Sequence, residues 1–315
     1  MIPAESRPTD DKVRFPLGDV LRSVLTLRSR VPEEAFSASI LGTERDGSGV
    51  VIDKGLVLTI GYLVMEAEEV WLRTVDGRAV AGHPLAFDPI TGFGLVQAMG
   101  ALDAPALPLG SAAGLRVGDP LVLAAGGGVK GALMARLVQR QPFAGYWEYL
   151  LDDALFTSPA HPRWGGAGCI DADGRLVGIG SLMLQQAPAG DTSNMVVPID
   201  LLPPVLDDLK RRGTNPEPPR PWLGIYAQDA DAGVIVAGVV RDGPSDKAGV
   251  EPGDVIATVG DVPVGDLVDL WRQVWVLGPA GTKVPLTLLK GEGAGGRVVI
   301  QSIDRAEMLH RPRAN

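Results

Sequence analysis

Four sets of residues in this chain have types and spacings that could do chemistry. Ser158 and His161 stand three residues apart, Asp152 and Asp153 lie just upstream, and Ser181 follows. A hydroxyl, an imidazole and a carboxylate are the parts needed for nucleophilic acyl transfer. Here Pro159, Pro162 and the nearby glycines mark a loop, where Ser and His commonly serve turns. Cys169, the only cysteine, sits between Gly168 and Ile170 in a strand-like run, which favours a buried, inert thiol. Residues 126–131 fit G-x-G-x-x-G after an apolar run at 121–125. That is the outline of a dinucleotide loop, but no repeated βαβ pattern surrounds it. The three histidines, His83, His161 and His310, are far apart in sequence and show no metal-ligand spacing. Neither a metal nor a cofactor is expected.

The elements that must position these residues are mostly β. Short apolar runs recur at 49–52, 56–60, 70–75, 94–97, 120–124, 133–138 and 175–179, separated by Gly, Asp and Pro. Asp46-Gly47-Ser48 and Asp76-Gly77 are expected to be turns. Many short strands and few windows of helical period point to a barrel or sandwich. The 41 glycines and 26 prolines make up about a fifth of 315 residues, yet 45% of the chain is hydrophobic, so disorder is excluded. The net charge of −9 argues against general nucleic-acid binding, which needs a basic face. A lone cysteine excludes an internal disulfide framework. The longest apolar stretches run to about five residues, far short of a membrane span. No apolar leader precedes the first domain, so as written the chain is expected to be cytoplasmic, or periplasmic if its start codon has been misplaced.

A boundary is legible near residue 213. Residues 200–212 carry helix signals: Asp200 as a cap, Pro203 and Pro204 in the first turn, Lys210, Arg211 and Arg212 at the end, and Gly213 as a stop. Four prolines in 214–221 then make a stiff linker. The expected layout is an N-terminal segment 1–22, a first domain 23–212, a linker 213–221, a second domain 222–308 and a tail 309–315.

The second domain opens on Trp222-Leu223-Gly224-Ile225, continues with a strand at 233–240 and the run GPSDKAGVEPGDVI at 243–256, then a helical pattern at 267–275 and a final hairpin over 284–289 and 297–301. In this order the elements resemble a PDZ domain of the HtrA-like type. A peptide C-terminus is an anion with a free strand edge, so a tight loop of backbone N–H groups and an open sheet edge can hold it. The resemblance places that carboxylate loop at Trp222, Leu223, Gly224 and Ile225, with Leu267 and Trp271 of the helix lining the groove. Leu267, Leu270, Trp271 and Val274 share one helical face, and for at least two of them a plain core position is the better explanation.

The first domain resembles the protease domain of the same HtrA-like serine protease family, a chymotrypsin-like double β-barrel. The segments that carry this are 47–52, 58–64, 75–78, 88–96, 109–111, 117–120 and 164–179, and with the PDZ-like part the resemblance covers about 23–305. The implied fold is mostly β: two barrels followed by a small α+β PDZ domain. The chemistry departs from the family. Counted by position, the histidine slot holds Tyr62, the aspartate slot Gly92 and the serine slot Gly165, or Trp164 if the last stretch shifts by one. Glycine offers no nucleophile, and tyrosine is a poor base at pH 7. In a measured triad, loss of the nucleophile alone costs about 10⁶-fold.

The expected function is therefore that of an inactive protease homologue. It would bind peptide or protein C-termini through the PDZ domain, as an adaptor or as a regulator of an active HtrA-like relative. The resemblance also implies homotrimers packed through the barrels. The alternatives are an active serine endopeptidase with a non-standard site, and an oligomeric scaffold whose PDZ groove is self-occupied.

Overall fold

A computed structural model describes residues 2–185, 192–290 and 295–309. His310 and the tail beyond it lie outside this range. The chain forms two compact units. The first takes in residues up to 141 together with 153–216, and the second takes in 142–152 and the chain from 217 onward.

The first unit holds two closed six-stranded barrels. One is built from β1 (Val24–Arg30), β2 (Glu44–Asp53), β3 (Leu56–Ile60), β4 (Glu69–Arg73), β5 (Ala79–Phe87) and β6 (Phe93–Ala98). The other uses β7 (Pro120–Ala124), β8 (Ala132–Gly145), β9 (Tyr149–Ser158), β10 (Gly168–Ile170), β11 (Leu176–Leu184) and β12 (Ser193–Pro198). Alternation sets the faces: in β4, Val70 and Leu72 are buried while Glu69, Trp71 and Arg73 face out. The Asp76-Gly77 turn is present, with Gly77 at φ 92° and its N–H on the Thr74 carbonyl.

Asp46-Gly47-Ser48 is not a turn, because β2 runs straight through it. Its glycine answers to space instead. A Cβ on Gly47 would lie 2.3 Å from Leu63 and 2.8 Å from the Gly165 carbonyl. The N-terminal segment is part of the first unit: helix α1 (Leu17–Leu21) buries Leu17 and Leu21, and Phe15 packs on Gly174. A further turn of helix, α2, spans Ala38–Leu41.

The helix expected at 200–212 is shorter. Asp200 does not cap it; its carboxylate accepts from Ser111 Oγ (2.5 Å) and Ala112 N–H (2.6 Å). Pro203 and Pro204 precede the helix, and α3 covers only Leu206–Arg212, ending at Gly213 with φ 72°.

The second unit is an antiparallel sheet in the order β13 (Ile225–Ala230), β14 (Gly233–Val239), β15 (Val255–Val259), β17 (Lys283–Leu289) and β18 (Gly296–Gln301), with β16 (Val262–Pro263) beside β15. Helices α4 (Pro244–Lys247), α5 (Leu267–Val276) and α6 (Ala306–Leu309) complete it. Asp266 caps α5 by accepting from Asp269 N–H at 2.7 Å. The proline-rich stretch does not hang free throughout: the Pro219 carbonyl accepts from Ala280 N–H, and Arg220 stacks 4.1 Å over the Trp275 ring. No helix among the described residues is long and apolar enough to cross a membrane.

Candidate functional site

Where the two barrels of the first unit meet, backbone and side chains are closely fitted. Gly165 O accepts from Ser48 N–H at 2.9 Å, and Ser48 Oγ accepts from Gly126 N–H at 3.1 Å. Thr59 Oγ1 donates to Ser48 O at 2.6 Å. Tyr62 lies in the tight turn after β3. Its carbonyl and that of Met65 accept from the buried Arg45 guanidinium at 2.6 and 3.0 Å, which fixes the turn.

The Tyr62 hydroxyl reaches the second barrel and donates to Ser181 O at 2.9 Å. A Cβ built on Gly165 would stand 2.7 Å from that hydroxyl. The structure thus brings Tyr62 and Gly165 face to face. Gly92 joins them through the backbone, its carbonyl accepting from Gly61 N–H at 2.7 Å. Trp164 also approaches the phenol with its side chain. Burial pushes the Tyr62 phenol well above its ordinary value, and the contact with Trp164 offsets only part of this. At neutral pH it keeps its proton and cannot act as a base. The nearby carboxylate, Asp88, is fully buried and turned into its own loop. It accepts from Ile90 N–H (3.0 Å), Thr91 Oγ1 (2.6 Å) and Asn215 Nδ2 (2.9 Å).

The other chemical candidates are taken up by structure. His161 is fully buried. Its Nε2 donates to Gly131 O at 3.0 Å and its Nδ1 accepts from Arg163 N–H at 3.0 Å, so neither nitrogen is left for a serine. Burial holds its pKa below the ordinary imidazole value. Asp153 pairs with Arg140 and Asp152 with Arg272. Among the described residues no serine hydroxyl is hydrogen-bonded to a histidine. Cys169 is fully buried in the second barrel's core, and burial pushes its thiol up to about 12. The glycine run at 126–131 links β7 to β8. A Cβ on Gly126 would lie 2.5 Å from the Thr26 backbone nitrogen, and one on Gly131 would lie 2.6 Å from the Ala125 carbonyl. Packing accounts for Gly126 and Gly131, and left-handed backbone (φ 115° and 63°) for Gly127 and Gly128, without a phosphate. No group of potential metal ligands occurs among the described residues.

In the second unit, Leu223, Gly224 and Ile225 form the expected loop of N–H groups, with Gly224 at φ 75°. Trp222 lies beside it and exchanges backbone hydrogen bonds with Ile303. A carboxylate already sits on this loop. Glu148 Oε2 accepts from Leu223 N–H at 2.9 Å, and Oε1 accepts from Gly224 and Ile225 N–H at 2.6 and 2.9 Å. Tyr146 O accepts from Ala227 N–H on β13 at 3.0 Å. Both helix residues expected to line the groove are buried. Leu267 donates its N–H to Asp229, and Trp271 Nε1 donates to Gly145 O at 3.1 Å. Leu150 shares one apolar core with Leu223, Ile225, Leu267 and Trp271.

Burial pushes the Glu148 carboxyl up to about 7, against the pull of its three N–H donors and of Arg305. Sequence reasoning missed Glu148 entirely. The available signal was the aromatic density around it: Tyr146, Trp147 and Tyr149 fall within four residues of a chain that is 5% aromatic. In the structure Trp147 stacks on Tyr149, Tyr146 meets Trp147 edge-on, and Tyr146 lies tilted against Tyr226.

Comparison with known proteins fits this architecture. Residues 47–179 match the trypsin-like peptidase domain family, and residues 221–295 match the PDZ domain family. A protein named probable periplasmic serine endoprotease DegP-like, from Pseudomonas fulva (strain 12-X), is 28% identical over 283 residues, covering 82% of this chain and 57% of its own. The periplasmic serine endoprotease DegP of Salmonella typhimurium is 27% identical over 262 residues, covering 78% of this chain and 54% of its own. The chain thus spans a little over half the length of these relatives. Among solved structures, the HtrA-type protease AlgW with decapeptide superposes with a TM-score of 0.56 at 22% identity, over 92% of this chain and 99% of that one. A serine endoprotease from Yersinia pestis gives 0.53 at 21%, over 93% and 99%.

Proposed function

We propose that this HtrA-like chain, a trypsin-like peptidase domain followed by a PDZ domain, holds protein C-termini and does not cut chains. The observation that carries the reading is the Tyr62–Gly165 contact. A buried phenol with its pKa raised points at a position with no side chain, so there is neither a base nor a nucleophile to form an acyl intermediate. The nearby histidine and cysteine are locked into core roles. The retained barrel would then serve as a platform. The nest of N–H groups at 223–225 beside the edge of β13 is the chemistry that takes up a terminal carboxylate and an added strand.

In this reading the chain acts as an adaptor, or as a regulator of an active HtrA-like relative, with homotrimers through the barrels as the assembly. The relatives bear the name periplasmic, and the periplasm, not the cytoplasm of the sequence-based expectation, is the compartment proposed. Their names also state serine endoprotease, which is the competing reading.

One experiment separates the two. Purified protein is incubated with fluorescent casein and, separately, with a serine-reactive fluorophosphonate. The expected result is no turnover and no labelling. Labelling at a single serine, lost when that serine is changed to Ala, would overturn the inactive reading.

A further inference from the structure

We infer that residues 146–148 are an internal ligand of the PDZ domain, with the Glu148 side chain standing where the terminal carboxylate of a bound peptide would stand. The inference rests on the C-terminus-binding reading above and adds its regulation: a peptide can enter only after this tip withdraws.

The geometry is that of a bound chain end. Both carboxylate oxygens of Glu148 are used, and together they satisfy three consecutive N–H groups at 2.6–2.9 Å. Such a row of donors is an anion site, and two carboxylates cannot share it. The main chain beside Glu148 also behaves as a ligand. Moving from the loop along β13, the contacts pass from Glu148 at 223–225 to Tyr146 at Ala227. The tip therefore runs antiparallel to β13 with its higher-numbered end in the loop, the polarity a peptide C-terminus would adopt on strand addition.

Side chains fill the rest of the groove. Leu150 is buried against Leu223, Ile225 and Leu267, the Gly145 carbonyl takes the Trp271 indole N–H, and Asp152 pairs with Arg272 on the outer face of α5 at 2.6 Å. Glu148 itself sits at φ 63°. A non-glycine residue in the left-handed region is uncommon and costs energy, which persists where surrounding contacts demand it. Here the strained residue is the one that delivers the carboxylate.

The test uses the full chain and a fluorescein-labelled decapeptide library with free C-terminal carboxylates, alongside its amidated twin. Binding is read by polarisation for wild type, Glu148→Ala, Glu148→Gln and the double variant Glu148→Ala/Gly224→Asp. Hydrogen exchange at 222–227 is followed in parallel. The expected result is that Glu148→Ala speeds exchange at 223–225 and tightens carboxylate-peptide binding by at least about tenfold, since apparent affinity scales with the open fraction. Glu148→Gln, which keeps the side-chain volume, should move both readouts the same way by less, and it keeps the test decisive if the alanine variant misfolds. The double variant and the amidated library should not bind.

If wild type and both single variants bind the library equally while the Glu148→Ala/Gly224→Asp double variant does not bind, the internal-ligand inference falls and C-terminus recognition stands. Unchanged exchange at 223–225 also overturns it. If exchange rises but no variant binds any peptide, C-terminus recognition falls and the proposed gating falls with it.

Discussion

Placing a serine at position 165 should damage the protein, and by an amount the structure sets. Gly165 has no positive φ to protect, so backbone strain is not the issue. Its Cβ would sit 2.7 Å from the Tyr62 hydroxyl, which is itself tied to Ser181 O at 2.9 Å. To admit the new atoms the phenol must swing away. Crowding of this kind costs about 1–3 kcal/mol. Stranding an enclosed hydroxyl and carbonyl costs about 1–3 kcal/mol more. For a unit of this size each kcal/mol lowers Tm by about 2–4 °C, so Gly165→Ser should lose roughly 5–20 °C.

The companion variant decides whether the reasoning is right. Tyr62→His shortens the side chain and removes the clash, so the Tyr62→His/Gly165→Ser pair should be more stable than the two separate losses would give, by at least about 1 kcal/mol. Urea titration of the four proteins closes the cycle. Strict additivity, or a Gly165→Ser protein as stable as wild type, would refute the contact between the two positions.

Two further outcomes follow from buried groups. The Glu148 carboxyl is raised from 4.5 to about 7, so between those values the folded state binds more protons than the unfolded one and stability falls as pH rises. The folded protein should therefore be most stable below about pH 4.5 and lose up to about 3 kcal/mol from this group through pH 7. Arg305, Tyr226 and Tyr146 are the other titratable side chains near this group. Urea stability at pH 5 and pH 8 should show the loss in wild type and not in Glu148→Gln; equal profiles would contradict it. For Cys169, whose thiol is raised to about 12 in the core, Ellman's reagent should find no reactive thiol in the native protein and one after denaturation. Prompt native labelling would place the residue elsewhere than the barrel interior.

Much of the fold was legible because strands of this kind announce themselves by composition. Residues 120–124, a run of apolar side chains after a Gly-Asp pair, are a strand end to end. Two others escaped. In β9, Asp152 and Asp153 stand side by side, which breaks the alternation that pattern reading depends on. The start of β12 is polar, yet Ser193 and Asn194 are buried, Asn194 because it braces the His161 backbone at 2.5 Å. Gly47 misled because a glycine demanded by a neighbour's bulk looks in sequence like a glycine demanded by a turn. The loop at 223–225 was legible from local order, since every donor is consecutive. Its occupant was not, because Glu148 lies some 75 residues earlier. Sequence distance hides any contact that depends on a long return of the chain.

The excursion at 142–152 has a consequence for how the gene could be divided. The second unit is discontinuous: it takes in eleven residues that enter from β8 and leave by β9 before the chain returns at 217. A fragment cut at Pro216 would lack Gly145, Glu148 and Leu150, and would present bare amides and a vacant apolar slot that the parent molecule keeps covered. Affinities measured on such an excised module would describe a surface the intact polypeptide does not display at rest.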